Sequence, residues 1–254
     1  MAVGIIGGSG LYSLDGFIVH EKREVVTPWG EASSPLILGT FESIPESDVV
    51  FLARHGEQHQ LPPHKVNYRA NIAALRDHQV SAIYAVNVVG GINREMCPGD
   101  LVIPDQIIDY TWGREHTYSD GIDADIQHID FTFPYDQTLR GNLLQQAIAL
   151  GYQVHSGGVY GATQGPRLET AAEIIRMEGD GCDIVGMTGM PEAALARELG
   201  IPYVCLALVV NMAAGLGEEE ITMEQIGTVI GSGMVKVRQL LARVVQDTST
   251  GSIT

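Results

Sequence analysis

Short, nearly unbroken apolar runs alternate with longer stretches of helical spacing along this chain. Residues 3–6, 49–53, 81–89, 101–108, 157–160, 183–187 and 203–210 are aliphatic and rich in β-branched side chains, a pattern that predicts strands buried on both faces. Residues 66–78, 139–150, 171–177, 191–199 and 223–245 repeat apolar positions at helical spacing, and Gly151 and Gly200 supply C-terminal stops. That order predicts a single three-layer α/β domain over residues 1–254, a mixed sheet flanked by helices. Residues 112–135, rich in Asp and His, predict a long excursion loop, and loops of that length are often functional. The polar residues 247–254 are expected to form a mobile tail.

Composition narrows the function classes. The 254 residues carry a formal charge of −16, which argues against a phosphate-backbone partner such as DNA or RNA. A small anionic substrate needs only a local positive pocket and stays possible. Cys97, Cys182 and Cys205 are odd in number and widely spaced, so they predict buried free thiols and no zinc site or disulfide framework. No metal is expected. The N-terminus lacks a basic leader and the run 201–214 is too short to span a bilayer, so a cytoplasmic protein without membrane contact is expected.

Chemistry gathers where the predicted strands end. After the first strand comes GIIGGSG (residues 4–10), whose glycines let backbone N–H groups face an anion while Ser9 adds a hydroxyl. It lacks the Gly-Lys-Ser/Thr of a nucleotide-binding P-loop and the spacing of a dinucleotide fold, so a dehydrogenase is disfavoured. RHGE (residues 54–57) offers Arg54 as a planar fork for phosphate oxygens and His55 as a second donor. The same letters open the motif of histidine phosphatases, with a nucleophilic histidine, but that motif belongs on a first strand and needs a late second histidine, whereas here the last is His155. His59 follows, then PHKVNYRAN (63–71), whose amides also suit helix caps. NVVGG (87–91) ends another strand with Asn87 and close-approach glycines. TQGPRLET (163–170) places Glu169 before a helix, where a carboxylate also suits the helix dipole. GMTGMPE (186–192) puts Thr188 at a strand end and a proline at a helix start. VNMAAG (210–215) closes the last apolar run with Asn211, an amide able to accept one hydrogen bond and donate another; a turn cap before Gly215 is the alternative.

Taken in order, GIIGGSGL, RHGEQH, PHKVNYRAN, VNVVGG, PGD, GPRLETAAE, GMTGMPEAALA and NMAAG resemble the purine nucleoside phosphorylase and methylthioadenosine phosphorylase family over about residues 3–245. The resemblance implies a partly barrel-like mixed sheet, a homotrimer, and phosphorolysis of a purine nucleoside in purine salvage. Inorganic phosphate is then a co-substrate and no other cofactor is required. Carried over residue by residue, it implies Ser9, Arg54, His55, Asn87 and Thr188 as phosphate ligands, although Asn87 stands where methylthioadenosine enzymes usually have Thr. It implies Val88, Val89 and Gly90 as a wall of the base pocket, Leu168, Glu169, Gly186 and Asn211 around the base, and Met187 against the ribose. His59, Met223 and His128 fall toward the sugar, His128 as a residue supplied by a neighbouring subunit. Asn211, Arg54 and His55 are the implied catalytic groups.

The departures carry the specificity. Methylthioadenosine enzymes resemble Thr-Asp-x-Asp where this chain has Val210-Asn211-Met212-Ala213, and a small Ser where it has Glu169. Glu169 can accept an N1–H, and Asn211 can serve N7–H and O6, the pattern of a 6-oxopurine; mispaired buried polar groups cost roughly 1–3 kcal/mol each. At the 5′ end Met223 stands where ordinary oxopurine enzymes have a histidine, and a thioether suits a methylthio group, with core packing its alternative. S-methyl-5′-thioinosine is the expected substrate; a general inosine/guanosine enzyme, a methylthioadenosine enzyme and a non-catalytic nucleoside sensor are the alternatives.

Overall fold

In the computed structural model of the protein, residues 2–11, 14, 16–121, 126–217 and 221–249 are described. The chain opens with β1 (Val3–Gly7), β2 (Phe17–Arg23), β3 (Val26–Thr27), β4 (Gly30–Glu31), β5 (Leu36–Phe41) and β6 (Ile44–Ala53). There follow α1 (Tyr68–Asp77), β7 (Ala82–Gly91), β8 (Leu101–Ile103), β9 (Gln106–Asp109), α2 (Gln137–Ala149), β10 (Val154–Ser156) and β11 (Val159–Ala162). The last third holds α3 (Ala171–Gly179), β12 (Ile184–Gly186), α4 (Glu192–Glu198), β13 (Tyr203–Met212) and the long α5 (Met223–Ser249). No helix among the described residues is long and apolar enough to cross a membrane.

The main sheet runs β10-β8-β13-β7-β1-β6-β5-β2 and mixes parallel with antiparallel pairs. It branches at β7. The first half of β7 pairs with β1 through residues 82–85, whereas its last residues, Gly90 and Gly91, pair antiparallel with β12. β12 then pairs with β11 and β11 with β9. Because only Pro104 and Asp105 separate β8 from β9, the strands β8-β13-β7-β12-β11-β9 form a ring. The expected mixed, partly barrel-like sheet is therefore present.

Both faces of the central strands are buried, which is why their sequence shows no alternation. Along β1, Ile5 faces a layer with Leu143 of α2 and Leu240 of α5, and Ile6 faces one with Ile72 of α1 and Leu195 of α4. Along β13, Leu206 and Leu208 join the first layer, Cys205, Ala207 and Val209 the second. Burying each such aliphatic side chain contributes about 1.5–3 kcal/mol. A smaller cluster packs Ile174 and Met177 of α3 under Val185 and Ala213.

Several expectations need correction. Residues 101–108 form two strands, since Pro104 has no N–H for the ladder and breaks the run. The strand expected at 157–160 starts at Val159, because Gly157 and Gly158 sit at φ 105° and 115°. Strands β2–β5 are additional to those expected: β2 is an exposed edge strand reading Phe17-Ile-Val-His-Glu-Lys-Arg, paired with β5, and the apolar, largely buried β5 lies between β2 and β6. Asn67 caps α1 by accepting from the Ala70 N–H, and Asn71 bonds Ser33, so both amides serve the fold. Cys97 is exposed, unlike the buried Cys182 and Cys205, because it lies in the turn between β7 and β8. Residues 247–249 continue α5, and 250–254 of the expected tail lie outside the described residues. The excursion loop holds no helix or strand among its described residues.

Leu206 lies fully buried at the centre of the sheet, so Leu206→Ala is expected to cost about 2–5 kcal/mol. Urea unfolding followed by circular dichroism would read this as a lowered midpoint. An unchanged midpoint would mean that β13 is not central to stability.

Candidate active site

The C-terminal ends of β1, β6, β7, β12 and β13 converge on one cavity of about 610 Å³, within the range of small-molecule sites. It is lined by Ser9, Arg54, His55, His59, Asn87, Val88, Val89, Gly90, Leu168, Glu169, Gly186, Met187, Thr188, Asn211 and Met223. Eight separate stretches of sequence are thus brought together. His128 is the exception: it is exposed and does not line the cavity.

At one end the glycine loop after β1 is threaded tightly. A Cβ on Gly8 would lie 2.6 Å from the Val86 carbonyl and 3.0 Å from an Arg54 nitrogen. Gly10 adopts φ 82° and faces Ile230 of α5. No side chain fits at either position, so the loop backbone and Ser9 face the cavity.

Arg54 is fully buried at the end of β6. Its Nε and Nη2 donate to the two oxygens of Glu192 at 2.7 Å, and Nη1 donates to the Val86 carbonyl at 2.9 Å. Tyr203 donates to the same carboxylate at 2.8 Å. Burial by itself would weaken the cation, but the charge and hydrogen bonds of Glu192 outweigh it and raise the pKa above its ordinary value. Three of the five N–H groups are engaged, leaving one hydrogen on each terminal nitrogen for an anion.

His55 behaves differently from the expected donor. Its Nδ1 donates to the Leu61 carbonyl at 2.8 Å, and burial, followed by the Arg54 charge, lowers its pKa to about 4. The ring is neutral near pH 7, so Nε2 offers a lone pair. Asn87 lines the cavity beside Thr188. Its Nδ2 donates to Thr188 Oγ1 at 2.7 Å and its Oδ1 accepts from Cys205 Sγ at 3.5 Å. It touches the cavity but spends its strongest bond orienting Thr188.

At the other end, Glu169 accepts from Thr163 Oγ1 at 2.6 Å, which leaves its second oxygen for a ligand. A bulge at Val210 places Asn211 beside Gly90 in the β13–β7 register, and such bulges re-aim side chains. Asn211 Nδ2 donates to the Met212 carbonyl at 2.7 Å. That bond fixes the amide orientation, leaving Oδ1 as an acceptor and one N–H as a donor. Met223 stands at the mouth at 75% exposure, beside Ile221, Ile226 and Ile230.

Two residues central to this arrangement had no signal in the sequence beyond their charge. Glu192 reads as an ordinary first-turn carboxylate of α4, yet it is the counterion of Arg54. Arg114 lies in a polar loop, yet it is buried against five residues of the site's surroundings.

Because His55 has a folded-state pKa below its free value of 6.5, its neutral form contributes stability that is fully present above about pH 6.5 and lost as pH falls toward about 4. His55→Gln is expected to remove that acid-side slope from urea midpoints measured without phosphate. An unchanged slope would assign the titration to another group.

Residues 2–246 match the Phosphorylase superfamily. A protein of Pseudomonas syringae pv. tomato named "Probable S-methyl-5'-thioinosine phosphorylase" is 52% identical over 240 residues, covering 94% of this chain and 96% of its own length. The "6-oxopurine nucleoside phosphorylase" of Pyrococcus furiosus is 46% identical over 231 residues, covering 88% and 84%. Among solved structures, a methylthioadenosine phosphorylase from Schistosoma mansoni in complex with adenine superposes with a TM-score of 0.93 at 32% identity, covering 98% of this chain and 92% of that one. With its cavity at the strand ends and matches along nearly its whole length, the chain belongs to the phosphorylase superfamily.

Proposed function

We propose that the protein catalyses phosphorolysis of S-methyl-5′-thioinosine, giving hypoxanthine and 5-methylthioribose 1-phosphate. The observation that carries this reading is the fixed pair Glu169 and Asn211. Glu169 keeps one oxygen for N1–H, while Asn211, anchored on the Met212 carbonyl, turns Oδ1 to N7–H and its second N–H to O6. The names borne by relatives such as the Pseudomonas and Pyrococcus proteins support a 6-oxopurine. The apolar mouth of Met223, Ile221 and Ile226 favours a methylthio group over a hydroxyl.

The anion end suits hydrogen phosphate. Arg54, Ser9 and Thr188 donate to its oxygens, and His55 Nε2 accepts its one hydrogen. As the C1′–N9 bond breaks, its electron pair moves into the base and an oxygen of phosphate bonds C1′. The proton released from phosphate balances the one gained by the base at N7, so neutral hypoxanthine and a dianionic sugar phosphate result. The phosphate charge stabilises the cationic sugar between them, and Asn211 Oδ1 strengthens its bond as N7–H forms. Phosphate is the co-substrate and no metal or organic cofactor takes part. The same reading makes the protein a cytoplasmic homotrimer in which the exposed His128 reaches the 5′ pocket of a neighbouring subunit.

Purified protein mixed with methylthioinosine, methylthioadenosine and inosine should release base only with phosphate, fastest from methylthioinosine. Faster inosine cleavage would overturn the reading of Met223, and preference for methylthioadenosine that of the base pocket. In Asn211→Asp a carboxylate oxygen would face the Met212 carbonyl and the donor to O6 would be gone. Its kcat/KM on oxopurine nucleosides is expected to fall about tenfold or more, with aminopurine turnover relatively favoured. An unchanged base preference would sink the role given to Asn211.

A further inference from the structure

We infer that Arg114, in the long loop between β9 and α2, is a positioning residue that holds the base-side and sugar-side segments of the cavity in register. The inference rests on the phosphorolysis reading of that cavity. Arg114 is 8% exposed, and no carboxylate among the described residues forms an ion pair with it. Its charge is met by oxygen dipoles. Nη1 donates to the carbonyls of Met187 at 2.9 Å and Met190 at 2.6 Å, and to Tyr68 Oη at 3.2 Å. Nη2 donates to the carbonyls of Gln164 at 2.9 Å and Thr163 at 3.2 Å, and Nε to the Gln164 side-chain oxygen at 3.1 Å. All five N–H groups of the fork are used.

The two segments so joined do different work. Thr163 holds Glu169, which faces the base, and the Thr163 N–H also bonds the Gly186 carbonyl at 2.8 Å. Met187 lies at the end of β12 against the ribose position, next to Thr188. One guanidinium therefore fixes the spacing between the group that reads the base and the groups that seat the sugar. Of the proposed phosphate ligands, Ser9, Arg54 and His55 come from β1 and β6, which Arg114 does not touch, while Thr188 lies between the two carbonyls it holds. A lysine has three donors on one nitrogen and cannot span both segments. The geometry thus assigns Arg114 chiefly to nucleoside positioning, with only Thr188 of the phosphate ligands in a segment it holds.

Arg114→Lys and Arg114→Ala would be compared with the parent protein by hydrogen exchange and by steady-state kinetics. Exchange is expected to quicken in residues 163–169 and 186–190 and to stay at the parental rate in 49–55. In both variants KM for methylthioinosine should rise about tenfold or more, and by a larger factor than KM for phosphate, for which only Thr188 lies in a loosened segment. Millimolar guanidinium should restore Arg114→Ala toward the parental nucleoside KM. Should Arg114→Ala fail to fold, Arg114→Lys decides alone. Parental exchange in both segments, or a loss of kcat that tracks the folded fraction with both KM values unchanged, would overturn the role. If the parent released no base from any nucleoside, the phosphorolysis reading would fall, and the exchange rates would still decide whether Arg114 joins the segments.

Discussion

The buried pair of Arg54 and Glu192 is the constraint around which the cavity is built. Both side chains are completely removed from solvent and meet in a two-pronged contact at 2.7 Å. Desolvating two charges costs several kcal/mol per ion, and leaving either alone typically costs about 3–5 kcal/mol. The pair is stable because nearly every remaining valence is met: Val86 accepts from the guanidinium and Tyr203 donates to the carboxylate. These contacts lock β6, β7, α4 and β13 into one arrangement. What the pair leaves over is two N–H groups on a cation that cannot move. An anion arriving there meets donors already oriented, the condition under which electrostatic stabilisation is most effective.

The branch of the sheet at β7 explains how the proposed phosphate end and base end share one cavity. Its first half continues the open sheet toward β1 and β6, whose ends carry Ser9, Arg54 and His55. Its last residues turn into the ring with β12 and β13, whose ends carry Met187, Thr188 and Asn211. The glycines at the branch matter for a steric reason. A Cβ on Gly186 would fall 2.2 Å from the Tyr160 hydroxyl, and one on Gly90 would sit 3.2 Å from Val185 and 3.4 Å from Asn211. A side chain on Gly186 would collide with the buried Tyr160 behind the cavity wall, and one on Gly90 would crowd Asn211.

The selectivity proposed here rests on polar groups that have lost their freedom. An unanchored asparagine could rotate its amide and serve either purine class, and an unanchored glutamate could swing to solvent. Here Met212 fixes the first and Thr163 the second. Thr163 is in turn held by Arg114. The groups proposed to read the base thus have partners of their own in β13, just after β11 and in the excursion loop.

The sequence by itself determined the layered α/β class, the central strands and helices, and most of the cavity's lining. Buried strands declare themselves through unbroken apolar runs, and a ligand seated on strand ends leaves glycines, amides and hydroxyls immediately after those runs. Ser9, Asn87, Thr188 and Asn211 were legible for that reason. The exposed edge strand β2 was not, because its pairing comes from β5 and needs no apolar face. Only the tertiary structure decided what the polar groups do. His55 becomes an acceptor because Leu61 takes its Nδ1–H, Asn87 serves Thr188, and Glu192 and Arg114 act across more than forty residues of chain. Local sequence encodes which groups a strand end presents; charge state, tautomer and orientation depend on partners that only folding brings within hydrogen-bond distance.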